Sequence, residues 1–296
     1  DTFSVNSLLL SGSVSYDFDS SAGANTLTVA SGNVLSLGGG NTIQSTQTGG
    51  ALAFGATDAK LFALSDLTLG SNTPVTGTGG LSKSGTGVVL ENRSTALTGG
   101  LIVSQGTLRT GIDSAFASQA LTVRSPGTFD LNGNDNTLGA VTLEAGTLIG
   151  SSVTTGAGTL SLAGNVTLDS VGTGATGATM SGNLALNGAN RTFTVANAAA
   201  ANDLSISAVL SDPAFGIVKA GAGTLTLSAS NTYAGVTTIS AGTLKLGASG
   251  DAANTPLGTV GGGTSVTSGA VLDLNGFTLG TAEALTLNGT GISAGG

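Results

Sequence analysis

A serine between glycines, Gly291-Ile292-Ser293-Ala294-Gly295, fits the G-x-S-x-G turn that lifts a nucleophilic hydroxyl above a sheet. Such a hydroxyl needs a general base to take its proton, and the 296-residue chain has no histidine. Gly172-Thr173-Gly174-Ala175-Thr176-Gly177 fits G-x-G-x-x-G, whose glycines let backbone approach a pyrophosphate at a helix N-terminus. Ala178-Thr179-Met180-Ser181 opens no amphipathic helix, and no acid stands near position 197 to hold a ribose. A glycine-rich corner accounts for that phrase better.

Asp130, Asn132, Asn134, Asp135 and Asn136 form the densest group of hard oxygen donors, the kind calcium prefers. The group lacks the bidentate Glu and the glycine position of an EF-hand loop, and a solvated turn is the expected reading. Asp17 and Asp19 are the only closely spaced acids on one apparent strand face, and a solubilising edge is expected there. A glycosidase pair would stand ~6.5–9.5 Å apart. Lys83 and Lys219, read as charges at coil corners, would discourage edge-to-edge pairing. Tyr16 and Tyr233 are the only tyrosines, and no tryptophan exists, so aromatic platforms for sugars are scarce. The sequence therefore designates no catalytic, cofactor-binding or metal-ligating residue and implies no cofactor.

Composition narrows the partners. The formal charge is −8 with only 8 Lys plus Arg, which offers no basic patch for a phosphate backbone, so no nucleic acid is expected. No apolar run approaches the ~20 residues of a spanning helix, so this segment is not expected to contact a membrane. The chain has no cysteine and starts at Asp1 without a signal peptide, which reads as a mature or excised segment. Fifty glycines, no tryptophan and 9 phenylalanines require a core of small aliphatic side chains.

The elements that must position these residues are short and alternate. Leu27-Thr28-Val29, Leu67-Thr68-Leu69, Leu121-Thr122-Val123, Val141-Thr142-Leu143, Val166-Thr167-Leu168, Leu225-Thr226-Leu227 and Leu285-Thr286-Leu287 put aliphatic side chains on one face and threonine on the other. Gly, Asn and Ser between them supply corners. The Ala198–Ala201 run is too short for a helix. Gly-Thr phrases begin at 106, 127 and 146, and again at 223 and 242, steps of 21, 19 and 19. A period near twenty predicts an all-β fold, a right-handed parallel β-helix of three short strands per coil. It would comprise roughly 12–15 coils over about 60–70 Å.

Residues 217–247 also reappear, degenerately, at 81–111. Lys219, Gly221, Gly223, Gly235, Gly242, Thr243, Leu244 and Gly247 match Lys83, Gly85, Gly87, Gly99, Gly106, Thr107, Leu108 and Gly111, at one offset of 136 (219 − 83). Segment 125–133 also resembles 268–276, at a different offset. Residues 1–296 are thus expected to form one continuous β-helix segment with modules at about 81–150 and 217–296.

The phrases Gly221-Ala222-Gly223-Thr224-Leu225-Thr226-Leu227, Asn231-Thr232-Tyr233 and Ala241-Gly242-Thr243-Leu244-Lys245-Leu246-Gly247 resemble the autotransporter-associated β-strand repeat of Gram-negative passenger domains. The earlier copy departs from it, with Val88-Val89-Leu90-Glu91 in place of Thr-Leu-Thr-Leu. The resemblance implies an extracellular β-helix on the bacterial cell surface, and it supplies no catalytic residue. The expected role is a non-catalytic stalk or adhesive surface. The alternatives are a flank that binds host or matrix ligands, a fibre self-associating end to end, and a polysaccharide-active enzyme.

Overall fold

The computed structural model describes residues 1–19, 23–170, 175–280 and 282–289. The Gly291–Gly295 phrase and the first half of the Gly172–Gly177 phrase, residues 172–174, lie outside them. Two compact units are present: Asp1–Leu138 with Thr154–Gly158, and Gly139–Val153 with Thr159–Gly296. The described residues contain strands, turns and bends but no helix, and none crosses a membrane as a long apolar helix.

In the first unit the chain winds through three parallel sheets, one strand of each per coil in the first five coils. The first sheet stacks Thr2–Val5, Thr26–Val29, Ala51–Ala53, Val75–Gly77 and Ala96–Leu97. The second stacks Leu8–Ser11, Asn33–Leu37, Ala59–Ala63, Leu81–Ser84, Leu101–Val103 and Leu121–Val123. The third stacks Ser15–Asp17, Asn41–Gln44, Leu67–Leu69, Val88–Glu91, Thr107–Thr110 and Thr128–Asp130. Successive strands of each sheet belong to successive coils, so every pairing is parallel and in register. Alternation then becomes ladders: Val34, Leu61, Lys83, Val103 and Val123 stand one above another on the inner side of the second sheet.

The second unit keeps two long parallel sheets. One stacks Val141–Glu144, Val166–Asp169, Arg191–Val195, Ile217–Ala220, Thr237–Ile239, Thr264–Val266 and Leu285–Leu287. The other includes Ala178–Ala185, Leu204–Ile206, Thr224–Leu227, Thr243–Leu246 and Val271–Asp273. The inner ladder here is Val166, Phe193, Lys219, Ile239 and Val266. Three strands per coil, expected throughout, therefore hold in the first five coils and not in the second unit.

The twenty-residue coil also holds only locally. Leu81, Leu101 and Leu121 are register partners 20 apart (101 − 81, 121 − 101), and Ile217 pairs with Thr237, again 20 apart (237 − 217). Elsewhere the step lengthens: 27 from Val34 to Leu61 (61 − 34) and 28 from Thr243 to Val271 (271 − 243). The last excess is absorbed by a small antiparallel pair, Asn254–Thr255 with Gly258–Thr259. A corner can swell outward without disturbing register, because only the strands must superpose. The seven alternating phrases read from sequence all lie in strands, and six bury their aliphatic residues. The exception is Leu285–Leu287, where Leu285 and Leu287 are 43% and 68% exposed.

Corners decide where glycine is required. Gly242 has φ +65, and a Cβ there would lie 2.4 Å from the Gly221 carbonyl oxygen of the preceding coil. Gly106 repeats this with φ +66 and 2.4 Å to the Gly85 oxygen. Left-handed backbone alone costs a residue with a Cβ about 1–2 kcal/mol. We expect Gly242→Ala to lose at least about 1–2 kcal/mol in urea unfolding, whereas an unchanged midpoint would show that the corner is looser than described.

Candidate functional site

Period two carries Lys83 and Lys219 inward, against the expectation that they decorate corners. Lys83 follows Leu81 by two in a strand, and Lys219 follows Ile217 by two, so each lies on the aliphatic face. Both side chains are fully buried, because the corner beside them turns backbone carbonyls into the interior, where no strand can pair them. Lys83 Nζ donates to the oxygens of Ser84 (2.9 Å), Gly85 (2.7 Å) and Gln105 (3.0 Å). Lys219 Nζ donates to Ala220 (3.0 Å), Gly221 (2.8 Å) and Ala241 (3.0 Å). An ammonium has three donors, and each finds an acceptor. Two acceptors belong to the lysine's own corner and the third to the corner of the next coil, so the side chain staples one coil to the next.

Burial lowers both ammoniums from 10.5 to about 8, with Asp66 opposing at Lys83 and Asp203 at Lys219. They remain predominantly protonated at neutral pH, with all three donors available. Asp66 Oδ1 accepts from the Val88 amide (2.9 Å) and Asp203 Oδ2 from the Thr224 amide (2.7 Å), so each acid also starts a strand in the coil above its own.

Other acids have the same occupation. Asp19 does not pair catalytically with Asp17. Its carboxylate accepts from Ser45 Oγ (2.7 Å) and from the amides of Gln47 (2.7 Å) and Asn25 (3.1 Å). Desolvation acts to raise its pKa, but these bonds hold it below 3.8. Asp17 accepts from the Asp19 amide (3.0 Å). At the oxygen-rich turn expected to be solvated, Asp130 pairs with Arg109 (2.8 Å) and accepts from the Asn132 amide (2.8 Å). Asn134 Nδ2 donates to the Thr110 and Leu131 oxygens, and Asn136 is buried with its Oδ1 on the Phe116 amide (3.0 Å). Most of the donors in that turn thus serve the coil itself. Among the described residues no group of three His, Cys, Asp or Glu side chains is placed to hold a metal.

Tyr233 is no sugar platform. It is fully buried with its hydroxyl 2.6 Å from Thr237 Oγ1, and burial raises its pKa above its usual value. The neighbouring Asn231 is buried too, accepting from the Leu210 amide (2.8 Å) and donating to the Pro256 oxygen (2.7 Å). Tyr16 is half-buried.

What sequence reading missed lies on the outside of the second sheet in the first unit. Leu9, Leu35 and Phe62 are register partners on its outer face, with Leu9 60% and Phe62 42% exposed. The equivalent face in the second unit reads Thr142, Thr167 and Thr194. A groove of about 570 Å³ opens beside Phe62, lined by Leu35, Lys60, Ser82, Ser84 and Ser104 among others. Leu9 and Leu35 share the face of Phe62 at strand alternation, which was the available signal.

A parallel β-solenoid with matched lysine corners defines the class, and the comparisons refine it. Residues 121–149 and 217–246 match the passenger-associated-transport-repeat model. The second match contains Lys219 with all three of its carbonyl acceptors, and the first begins with the Leu121–Val123 strand. Over 134 residues, 45% of its length, the chain is 35% identical to the adhesin BmaC autotransporter of Brucella suis biovar 1 (strain 1330). It covers 4% of that protein. No solved structure matches. The chain is thus a parallel β-solenoid that carries two matches to this passenger repeat and is similar, over part of its length, to an autotransporter adhesin.

Two substitutions test the interior. Lys219→Met keeps the volume but orphans three carbonyls, and we expect a loss of about 1–3 kcal/mol in urea unfolding, the scale of leaving buried acceptors without a donor. A loss below about 1 kcal/mol would mean that water satisfies the corner. Glu91 is the second. It stands inward between Leu69 and Thr110, where the other module has Leu227 (227 − 91 = 136). Its Oε1 accepts from the Arg93 amide (3.2 Å) and its Oε2 has no partner. Burial raises its pKa well above 4.5, against the Arg93 bond. With the folded pKa above the unfolded one, the neutral carboxyl's contribution is complete below 4.5 and lost as pH rises. Glu91→Leu should therefore flatten the decline in stability between about pH 5 and 7 and raise stability at pH 7. Parallel pH slopes for the two proteins would refute this.

Proposed function

We propose that the chain is a non-catalytic passenger segment, displayed outside a Gram-negative cell, whose solenoid flank presents an adhesive surface. The observation that carries this reading is the coincidence of a passenger repeat, 217–246, with registered coils stapled by Lys219. The similarity to an autotransporter adhesin supports it. Physically, a ladder core satisfies the interior with small aliphatics and leaves the outward positions free to vary without cost to the fold. Outward Thr and Ser keep much of the flank hydrated, and the Leu9–Leu35–Phe62 ladder departs from that pattern as a registered stripe. Exposed apolar stripes of this kind mark contact surfaces. The non-catalytic part of the reading rests on the acids, since Asp19, Asp66, Asp130 and Asp203 each accept backbone amides.

Purified chain should be retained by mammalian cells or matrix-coated surfaces and should release no unsaturated or reducing sugar from polysaccharide. Sugar release would replace this reading with an enzyme, and absence of retention would reduce the segment to a spacer.

A further inference from the structure

The chain carries 16 acids against 8 bases, yet the groove on the outer second sheet of the first unit collects two lysines and no carboxylate. One is Lys60, exposed and without an ion-pair partner among the described residues. The other is Lys83, whose ammonium sits in its carbonyl cradle beneath the strand that forms the groove floor. Phe62 and Leu35 supply an apolar wall, and the hydroxyls of Ser84 and Ser104 border it. The groove runs across a sheet face, so all backbone donors beneath it are committed to neighbouring coils. A peptide strand would find no edge to join there. A ring with one apolar face, several hydroxyls and one negative charge would find each of its needs met.

We infer that this groove binds a carboxylate-bearing saccharide. The sugar's C–H face packs on the Phe62 ring, its carboxylate accepts from Lys60 Nζ, and its hydroxyls meet Ser84 and Ser104. The apolar wall supplies contact area, while the single charge-assisted bond selects the acidic sugar over a neutral one. The groove lining itself holds no carboxylate to compete with the sugar for Lys60. This inference rests on the reading of the chain as a surface-presented passenger and names the ligand class of its flank.

The test is titration of the purified full chain with 3′-sialyllactose, with a glucuronate-containing tetrasaccharide, and with neutral lactose, followed by calorimetry. At least one acidic sugar should bind saturably, with lactose weaker by about tenfold or more. Lys60→Gln should remove that preference, and Phe62→Ser should weaken every sugar by about tenfold. Both side chains are exposed, and an unchanged thermal midpoint confirms that each variant is folded. Absence of binding to both acidic sugars, equal binding of lactose, or unchanged affinity in the two variants would overturn the inference. Retention by cells measured on the same preparations separates the two readings. Cells held without sugar binding would sink the saccharide and leave adhesion standing, whereas loss of both would sink both.

Discussion

A solenoid must turn corners inside itself, and at some corners the carbonyl oxygens face a core that offers them no strand. Everything else in this chain accommodates that constraint. At two corners a lysine answers it, placing a three-donor ammonium among three carbonyls at 2.7–3.0 Å. Because one acceptor lies in the next coil, local satisfaction becomes coupling between coils. In linear repeat folds, such nearest-neighbour coupling sets how cooperatively the stack holds together. Glycines at 106 and 242 follow from the same geometry, since any Cβ there would collide with the corner oxygens below.

Satisfying the interior this way frees the exterior. The outward residues of each strand carry no packing duty, so threonine can be replaced by Leu, Phe or Lys without disturbing register. The Leu9–Leu35–Phe62 ladder and the lysine-bearing groove beside it are such replacements. Acids follow a parallel logic. Where a coil begins a strand with a free amide, an aspartate from the coil below accepts it, as Asp66 and Asp203 do for Val88 and Thr224. Carboxylates committed in this manner are structural, and function passes to the flank.

Much of this was legible in sequence. The alternating phrases located seven strands, and the Gly-Thr spacing gave the coil length where coils are shortest. The fold class followed from that period. Coil length elsewhere was hidden because register depends on strand superposition while corner length varies freely, as the Asn254–Thr259 excursion shows. The lysines were misread because charge was weighed ahead of alternation. Leu81-Ser82-Lys83 and Ile217-Val218-Lys219 place the lysine on the aliphatic face, and only the inward carbonyls, which sequence does not display, explain why it stays there. Tyr233, one of the two tyrosines weighed as a sugar platform, is core, while Phe62 is surface. In both cases the position within the coil, not the residue type, decided exposure.

The coil-to-coil staple can be observed directly by heteronuclear NMR of the lysine side chains. Couplings transmitted across hydrogen bonds from Lys219 Nζ to the carbonyl carbons of Ala220, Gly221 and Ala241, with slowly exchanging ammonium protons, are the predicted result. An ammonium resonance in fast exchange with water and without those couplings would contradict the account.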